Sequence, residues 1–133
     1  MATVLIIEDN LTTLTLCAQI LQKDYKILTA KNSDEGLILF KEYKPDLVIT
    51  GLMLPSSKGA FPTNTDPLAW IADLRASNTT SKIIIHSALC YEIKLQKMAI
   101  TLGVDACLVP LVNCDILKQT VDSLLSSHPS TNV

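Results

Sequence analysis

Three unbroken apolar runs of this chain are dominated by β-branched residues: Val4-Leu5-Ile6-Ile7, Leu47-Val48-Ile49 and Ile83-Ile84-Ile85. A strand with one wet face alternates polar and apolar residues. Unbroken, β-branched runs need cover on both faces, as the inner strands of a parallel sheet have. Between them, apolar residues return at helical spacing: Leu11, Leu14, Ala18 and Leu21, then Leu37 and Phe40, then Leu68, Ile71 and Leu74. Leu95, Met98, Ala99 and Leu102 repeat the pattern, as do Leu117, Val121 and Leu124. Two further short runs, Tyr25 to Ala30 and Ala106 to Val109, read as strands. Five strands alternating with five helices predict one α/β domain in three layers, a parallel sheet covered on both faces by right-handed crossovers.

The helix boundaries are marked. Asn10 is placed to cap the first helix and Ser33 the second, where Asp34 and Glu35 favour the positive end of the dipole. Asp66 suits a cap with Pro67 at the first helical position, Gly103 ends the fourth helix, and Asn113 caps the last. Trp70 falls off the buried stripe of its helix. With 48% hydrophobic and 18% charged residues in 133, the chain reads as one domain over residues 1–126 with a fraying tail at 127–133. A net charge of -2 and no basic stripe argue against a nucleic-acid partner. No apolar run is long enough to span a bilayer and no basic leader opens the chain, so the expectation is a cytoplasmic protein without a membrane partner. Cys17, Cys90, Cys107 and Cys114 show no C-x-x-C pairing and read as small buried hydrophobes, not as disulfide or metal ligands.

The stretch Pro45-Asp46-Leu47-Val48-Ile49-Thr50-Gly51-Leu52-Met53-Leu54-Pro55 closely resembles the third strand and following loop of response-regulator receiver domains, and Glu8-Asp9-Asn10 resembles their acidic pair. The resemblance covers about residues 3 to 125. It implies the flavodoxin-like receiver fold, a five-stranded parallel sheet of order 2-1-3-4-5, with a site at the carboxyl ends of the strands. It also implies a role for each site position. Glu8 and Asp9 would hold Mg²⁺, and Ser87 would be the hydroxyl that closes on a phosphoryl group. Gly51 stands where the family has its phospho-accepting aspartate. Pro110 stands where the family has a lysine, and Cys107 where it has an aromatic switch residue. The segment Ser56 to Thr65 looks inserted relative to the family's short loop.

Phosphoryl transfer to a carboxylate needs an in-line nucleophile, a divalent cation and a second positive group. Gly51 has no side chain, and Pro110 has neither charge nor donor. Thr50 cannot substitute, because it points to the other face of its strand. Phosphorylation at the usual position is therefore not expected. Glu8 and Asp9 with the Met53 carbonyl would make at most a weak Mg²⁺ site, and no other cofactor is expected. The segment Glu8-Asp9-Asn10-Leu11-Thr12 offers no phosphate-binding loop for a flavin. Ser87 at a strand end more often bonds local backbone, and His86 should face away from the pocket as a packed histidine. Ser56, Ser57 and Thr63 are exposed hydroxyls with nothing specific to mark them as modification sites.

The leading expectation is a non-enzymatic pseudo-receiver that acts by protein–protein interaction in two-component or phosphorelay signalling. The face spanning Tyr91 to Leu125 would meet a kinase, an effector or a second copy as a homodimer. The alternative is a small-molecule or redox sensor that uses the vacated pocket. Cys90 and Cys107 lie near the fourth and fifth strands, where a redox signal would enter, but neither has a basic neighbour to activate its thiol.

Overall fold

The computed structural model describes residues 1–60, 66–78, 80–110 and 114–126. The inserted segment's Phe61 to Thr65, the cap at Asn113 and the tail at 127–133 lie outside these. The chain alternates β1 (Thr3–Ile7), α1 (Leu11–Leu21), β2 (Lys26–Ala30), α2 (Ser33–Tyr43), β3 (Leu47–Thr50), α3 (Ala69–Ser77) and β4 (Lys82–His86). A single 3-10 turn, Ala88–Tyr91, then precedes α4 (Ile93–Thr101), β5 (Ala106–Leu108) and α5 (Cys114–Leu125). The five strands are parallel in the order β2-β1-β3-β4-β5. Both the order and the five-helix count match what the resemblance implied.

The unbroken runs are the centre of the sheet, and alternation splits their side chains between two cores. Leu5, Ile7, Val48, Ile83 and Ile85 face Phe40 of α2, Ile71 and Leu74 of α3, and Leu95 and Ala99 of α4. Val4, Ile6, Leu47, Ile49 and Ile84 face Leu14, Cys17 and Leu21 of α1 and Leu117 and Val121 of α5. Burial of both faces explains why these strands carry no polar alternation.

Several boundaries differ from the sequence expectation for local reasons. Asn10 caps α1, its side chain accepting from the Thr13 N–H at 3.0 Å. The buried stripe of that helix is Thr13, Leu14, Cys17 and Leu21, whereas Leu11 is exposed because it lies in the outermost turn. The cap of α2 is Asn32, which accepts from Glu35 N–H at 2.8 Å. Ser33 is already helical, and its N–H donates to the Pro55 carbonyl at 2.9 Å. Asp66 and Pro67 form a turn ahead of α3, not its first residues: Asp66 Oδ1 accepts from Leu68 N–H at 3.0 Å and its carbonyl accepts from Ala69 N–H at 3.2 Å. Met98, assigned to the inward stripe of α4, is exposed.

Two polar anchors fix helices that the apolar contacts leave free to slide. Arg75 at the end of α3 donates to the Ser81 carbonyl at 2.9 Å and the Gly103 carbonyl at 2.8 Å, tying together the turns that enter β4 and β5. Gly103 has φ 82°, a left-handed conformation that glycine adopts without penalty. On the other layer, Lys118 of α5 meets Asp122 at 2.7 Å and Asp24 at 3.0 Å, and the Tyr25 hydroxyl donates to Asp122. Partial burial, then the Asp122 carboxylate, push the Tyr25 hydroxyl up to about 12.

Gly36 sets the separation of α2 from β1. A Cβ there would come within 2.8 Å of the Ile7 side chain, which is fully buried and has no room to yield. Gly36→Ala is expected to destabilise the fold by about 1–3 kcal/mol, the usual cost of overpacking, despite alanine's better helix propensity. Urea denaturation of the two proteins measures it.

Candidate functional site

The site rests on strand register. Ile7 pairs with Thr50 and Thr50 with Ile85, so the residues that follow them come out side by side at the carboxyl edge. These are Glu8, Gly51 and His86. The Gly51 N–H donates to the Ile7 carbonyl at 3.0 Å, and Glu8 N–H to the Ala30 carbonyl at 2.9 Å, so both backbones are held by the sheet.

Gly51 lies between its neighbours. A Cβ built there would stand 3.6 Å from Glu8 Oε1, 3.5 Å from the Leu54 side chain and 3.9 Å from the His86 carbonyl oxygen. All three are ordinary contact distances, and the backbone at Gly51 is not left-handed. The position therefore accepts a side chain sterically.

Glu8 is half-buried and Asp9 exposed. One Glu8 oxygen accepts the Asn10 N–H at 3.0 Å. Burial, with the Asp9 charge as a lesser cause, nevertheless raises the Glu8 carboxyl above its usual range. Met53, whose carbonyl would be the third contact for a cation, has φ 56°, a left-handed conformation uncommon for a non-glycine residue. Among the described residues no three His, Cys, Asp or Glu side chains gather into a metal site. Glu8 and Asp9 thus supply the acidic pair without a third carboxylate.

Ser87 follows β4 and begins the 3-10 turn. Its Oγ accepts the Leu89 N–H at 3.2 Å, and its own N–H donates to the Leu108 carbonyl at 3.0 Å. Its oxygen is thereby an acceptor for local backbone, and its O–H remains a donor. Pro110 is partly buried just past β5, at the same edge of the sheet. His86 is buried, and desolvation lowers its pKa.

Two features were not anticipated. Trp70, which helical spacing left off the stripe, donates its indole N–H to Thr50 Oγ1 at 2.8 Å, and the Thr50 hydroxyl donates to the Gly51 carbonyl at 2.9 Å. The side chain on the far side of Thr50 is therefore spoken for, and the only tryptophan reports on the residue next to Gly51. The Ser56–Ala60 part of the inserted segment is also anchored. Both the N–H and the hydroxyl of Ser57 donate to Asp34 at 2.9 Å, and these bonds hold the Asp34 carboxyl below its usual range.

The cysteine expectation needs correction. Cys90 and Cys107 are paired as a disulfide, with their Cα atoms 5.6 Å apart, a normal span for such a bond. Cys17 is buried between α1 and the sheet, as a small hydrophobe would be. No spacing motif announces a bond between residues 17 apart; only the turn of chain after Ser87 and the pairing of Ile85 with Cys107 bring the two together.

A parallel sheet of this order with an acidic pair after β1 is the arrangement that the resemblance to receivers implied. The chain belongs to the response regulator receiver domain family, which matches residues 4–122. It is similar to the chemotaxis protein CheY of Halobacterium salinarum, 27% identical over 103 residues that cover 77% of this chain and 78% of that protein. Among solved structures it resembles the response regulator TrrA of Thermotoga maritima in complex with Mg²⁺-BeF, at 28% identity and a TM-score of 0.75, covering 94% of this chain and all of that one. The fold is shared with chemotaxis protein CheY4 of Vibrio cholerae at a TM-score of 0.77 and 20% identity, over 94% and 99% of the two chains. Receiver domains are signalling domains. Among the described residues, no helix is long and apolar enough to cross a membrane.

Burial of neutral His86 makes a pH prediction. Its folded pKa lies below the ordinary 6.5, so the unfolded chain binds a proton that the folded chain refuses. The His86 contribution to stability is then constant above about pH 7 and falls as pH drops below 6.5, until the folded imidazole also protonates. His86→Gln should flatten that decline in urea titrations between pH 7 and 5.

Proposed function

We propose that this chain is a receiver that does not take a phosphoryl group at the usual position and signals through protein–protein contact. One observation carries the reading. The position flanked by Glu8 and the His86 carbonyl is glycine, with space for a side chain and none present. Receiver chemistry requires a nucleophile there, together with cationic neutralisation of the phosphoryl oxygens. Pro110, at the position where the resemblance places lysine, removes the second requirement as well.

A Mg²⁺ ion fits this donor set poorly. Glu8, Asp9 and the Met53 carbonyl would hold it, and bound there it would neutralise the acidic pair. An octahedral ion would then lean on water for most of its shell. Weak binding follows, and no step of the proposed function requires the ion.

The contact face proposed for a protein partner, whether kinase, effector or second copy, runs from Tyr91 to Leu125. Its described part exposes Tyr91, Ile93, Met98, Ile100 and Val109 around α4 and Ile116 on α5, at 37–71% of their full exposure. Exposed apolar side chains on these elements support an interaction role.

Incubation with Mg²⁺ and acetyl phosphate, followed by intact-mass measurement beside an ordinary receiver, tests the reading. The expected mass is unchanged while the control gains one phosphoryl group. An adduct on this chain would overturn the reading, and its acid or base lability would identify the acceptor as hydroxyl or carboxylate.

A further inference from the structure

The Cys90–Cys107 bond spans an informative place in the fold. Cys90 sits in the 3-10 turn that leaves β4, and Cys107 is the middle residue of the edge strand β5. The whole of α4 lies between them in the chain, so the bond closes a loop around that helix. α4 is otherwise thinly held. Only Leu95 and Ala99 are buried, its N-cap Glu92 makes no side-chain cap hydrogen bond, and its last turn carries no basic residue. α1, by comparison, buries four side chains and is capped by Asn10. Gln96 ties α4 to the pair directly, its side-chain N–H donating to the Cys90 carbonyl.

Both oxidation states have a place here. Cys90 Sγ lies 3.6 Å from the Ile85 carbonyl oxygen, so a reduced Cys90 thiol has an acceptor for its proton without any rearrangement. Access is one-sided. Cys90 is 1% exposed, whereas Cys107 is only partly buried and lines a cavity of about 160 Å³ with Gln96, Ala99, Ile100 and Val104, between α4 and β5.

We propose that Cys90 and Cys107 form a reversible thiol–disulfide switch that sets how firmly α4 is held to the sheet. Cys107 is the sulfur that meets the outside, and a low-molecular-weight disulfide such as oxidised glutathione is the oxidant. The Cys107 thiolate attacks one glutathione sulfur, forming a mixed disulfide and releasing one glutathione thiolate. The Cys90 thiolate then displaces the second glutathione and closes the Cys90–Cys107 bond. The two protons given up by the cysteines are taken by the two glutathione thiolates, so one disulfide is reduced for the one formed. Reduction by excess glutathione runs the same steps backwards. Removing the bond leaves α4 to its two buried side chains, the Gln96 hydrogen bond and the Arg75 contact at Gly103, and regions with few buried contacts open at low free energy. Because the outer side of α4 presents Ile93, Met98 and Ile100, the switch acts on the contact face proposed above. Only that output rests on the pseudo-receiver reading; the thiol chemistry stands apart from it.

The full chain, equilibrated in glutathione mixtures from wholly reduced to wholly oxidised, gives the test. Samples are quenched, alkylated and peptide-mapped, with amide exchange of the 93–101 segment measured in parallel. One reversible transition is expected in which Cys90 and Cys107 together lose two thiols and the α4 amides slow by about threefold or more, while the β1 amides do not change. A pair that stays oxidised in the most reducing mixture, one that never closes in the most oxidising, or α4 exchange indifferent to the bond would each overturn the proposal. Cys107→Ser should abolish the transition; if that variant fails to fold, the wild-type titration alone decides. A phosphoryl adduct in the acetyl phosphate experiment would sink the other reading and leave this one standing, so the two fail separately.

Discussion

The alignment of Ile7, Thr50 and Ile85 across three parallel strands is the constraint on which the rest depends. It puts Glu8, Gly51 and His86 abreast at the carboxyl edge, and it sends alternate side chains of every inner strand into one of two dry cores. A slip of one residue would turn each core face to the opposite layer, so the burial of both faces fixes the site geometry as firmly as it fixes the fold. This explains how a receiver keeps its architecture with glycine at the reactive position. The carboxylate that would stand at 51 belongs to the pocket and not to the core. Leu54, with 3% of its surface exposed, packs beside the space where that side chain would begin.

The same separation of core from edge bears on switching. A receiver that does not accept a phosphoryl group needs another input with unequal preference for two states. The edge formed by the 3-10 turn, α4 and β5 is lightly padded, with two inward side chains on the helix and apolar groups on its outside. A covalent bond across that edge changes the chain's freedom there without touching the central strands. The Lys118 anchor lies on the other layer, while Arg75 meets this edge at the Gly103 carbonyl just past α4.

What was legible in the sequence follows from how local each cause is. The unbroken apolar runs gave the inner strands, and helical spacing gave all five helices, because burial pattern is written in nearest-neighbour chemistry. Leu11 and Met98 fit the spacing yet face solvent, since a helix stripe only partly meets its neighbour. Asp66-Pro67 has the composition of a helix start, but Asp66 closes a turn on Leu68 and Ala69 instead. The positions Glu8, Asp9, Gly51, Ser87 and Pro110 were named through family resemblance alone, and each follows a strand at the carboxyl edge of the sheet. The Cys90–Cys107 bond and the Trp70–Thr50 hydrogen bond were not legible. Both join residues far apart in the chain through tertiary distance alone, and neither pair has a motif to announce it.

Because Trp70 is the only tryptophan and bonds to Thr50, its fluorescence is a built-in reporter of position 51. Titration with Mg²⁺ and beryllofluoride, which forms a phosphoryl-like adduct on a carboxylate, measures most directly whether that position is chemically competent. The wild-type chain should show no saturable change. Gly51→Asp, whose Cβ meets only ordinary contact distances, serves as the matched variant in which a carboxylate is restored. A saturable response from the unaltered chain at the concentrations that saturate an ordinary receiver would contradict the central claim, because it would place a working phosphoryl acceptor beside Glu8 where none is now assigned.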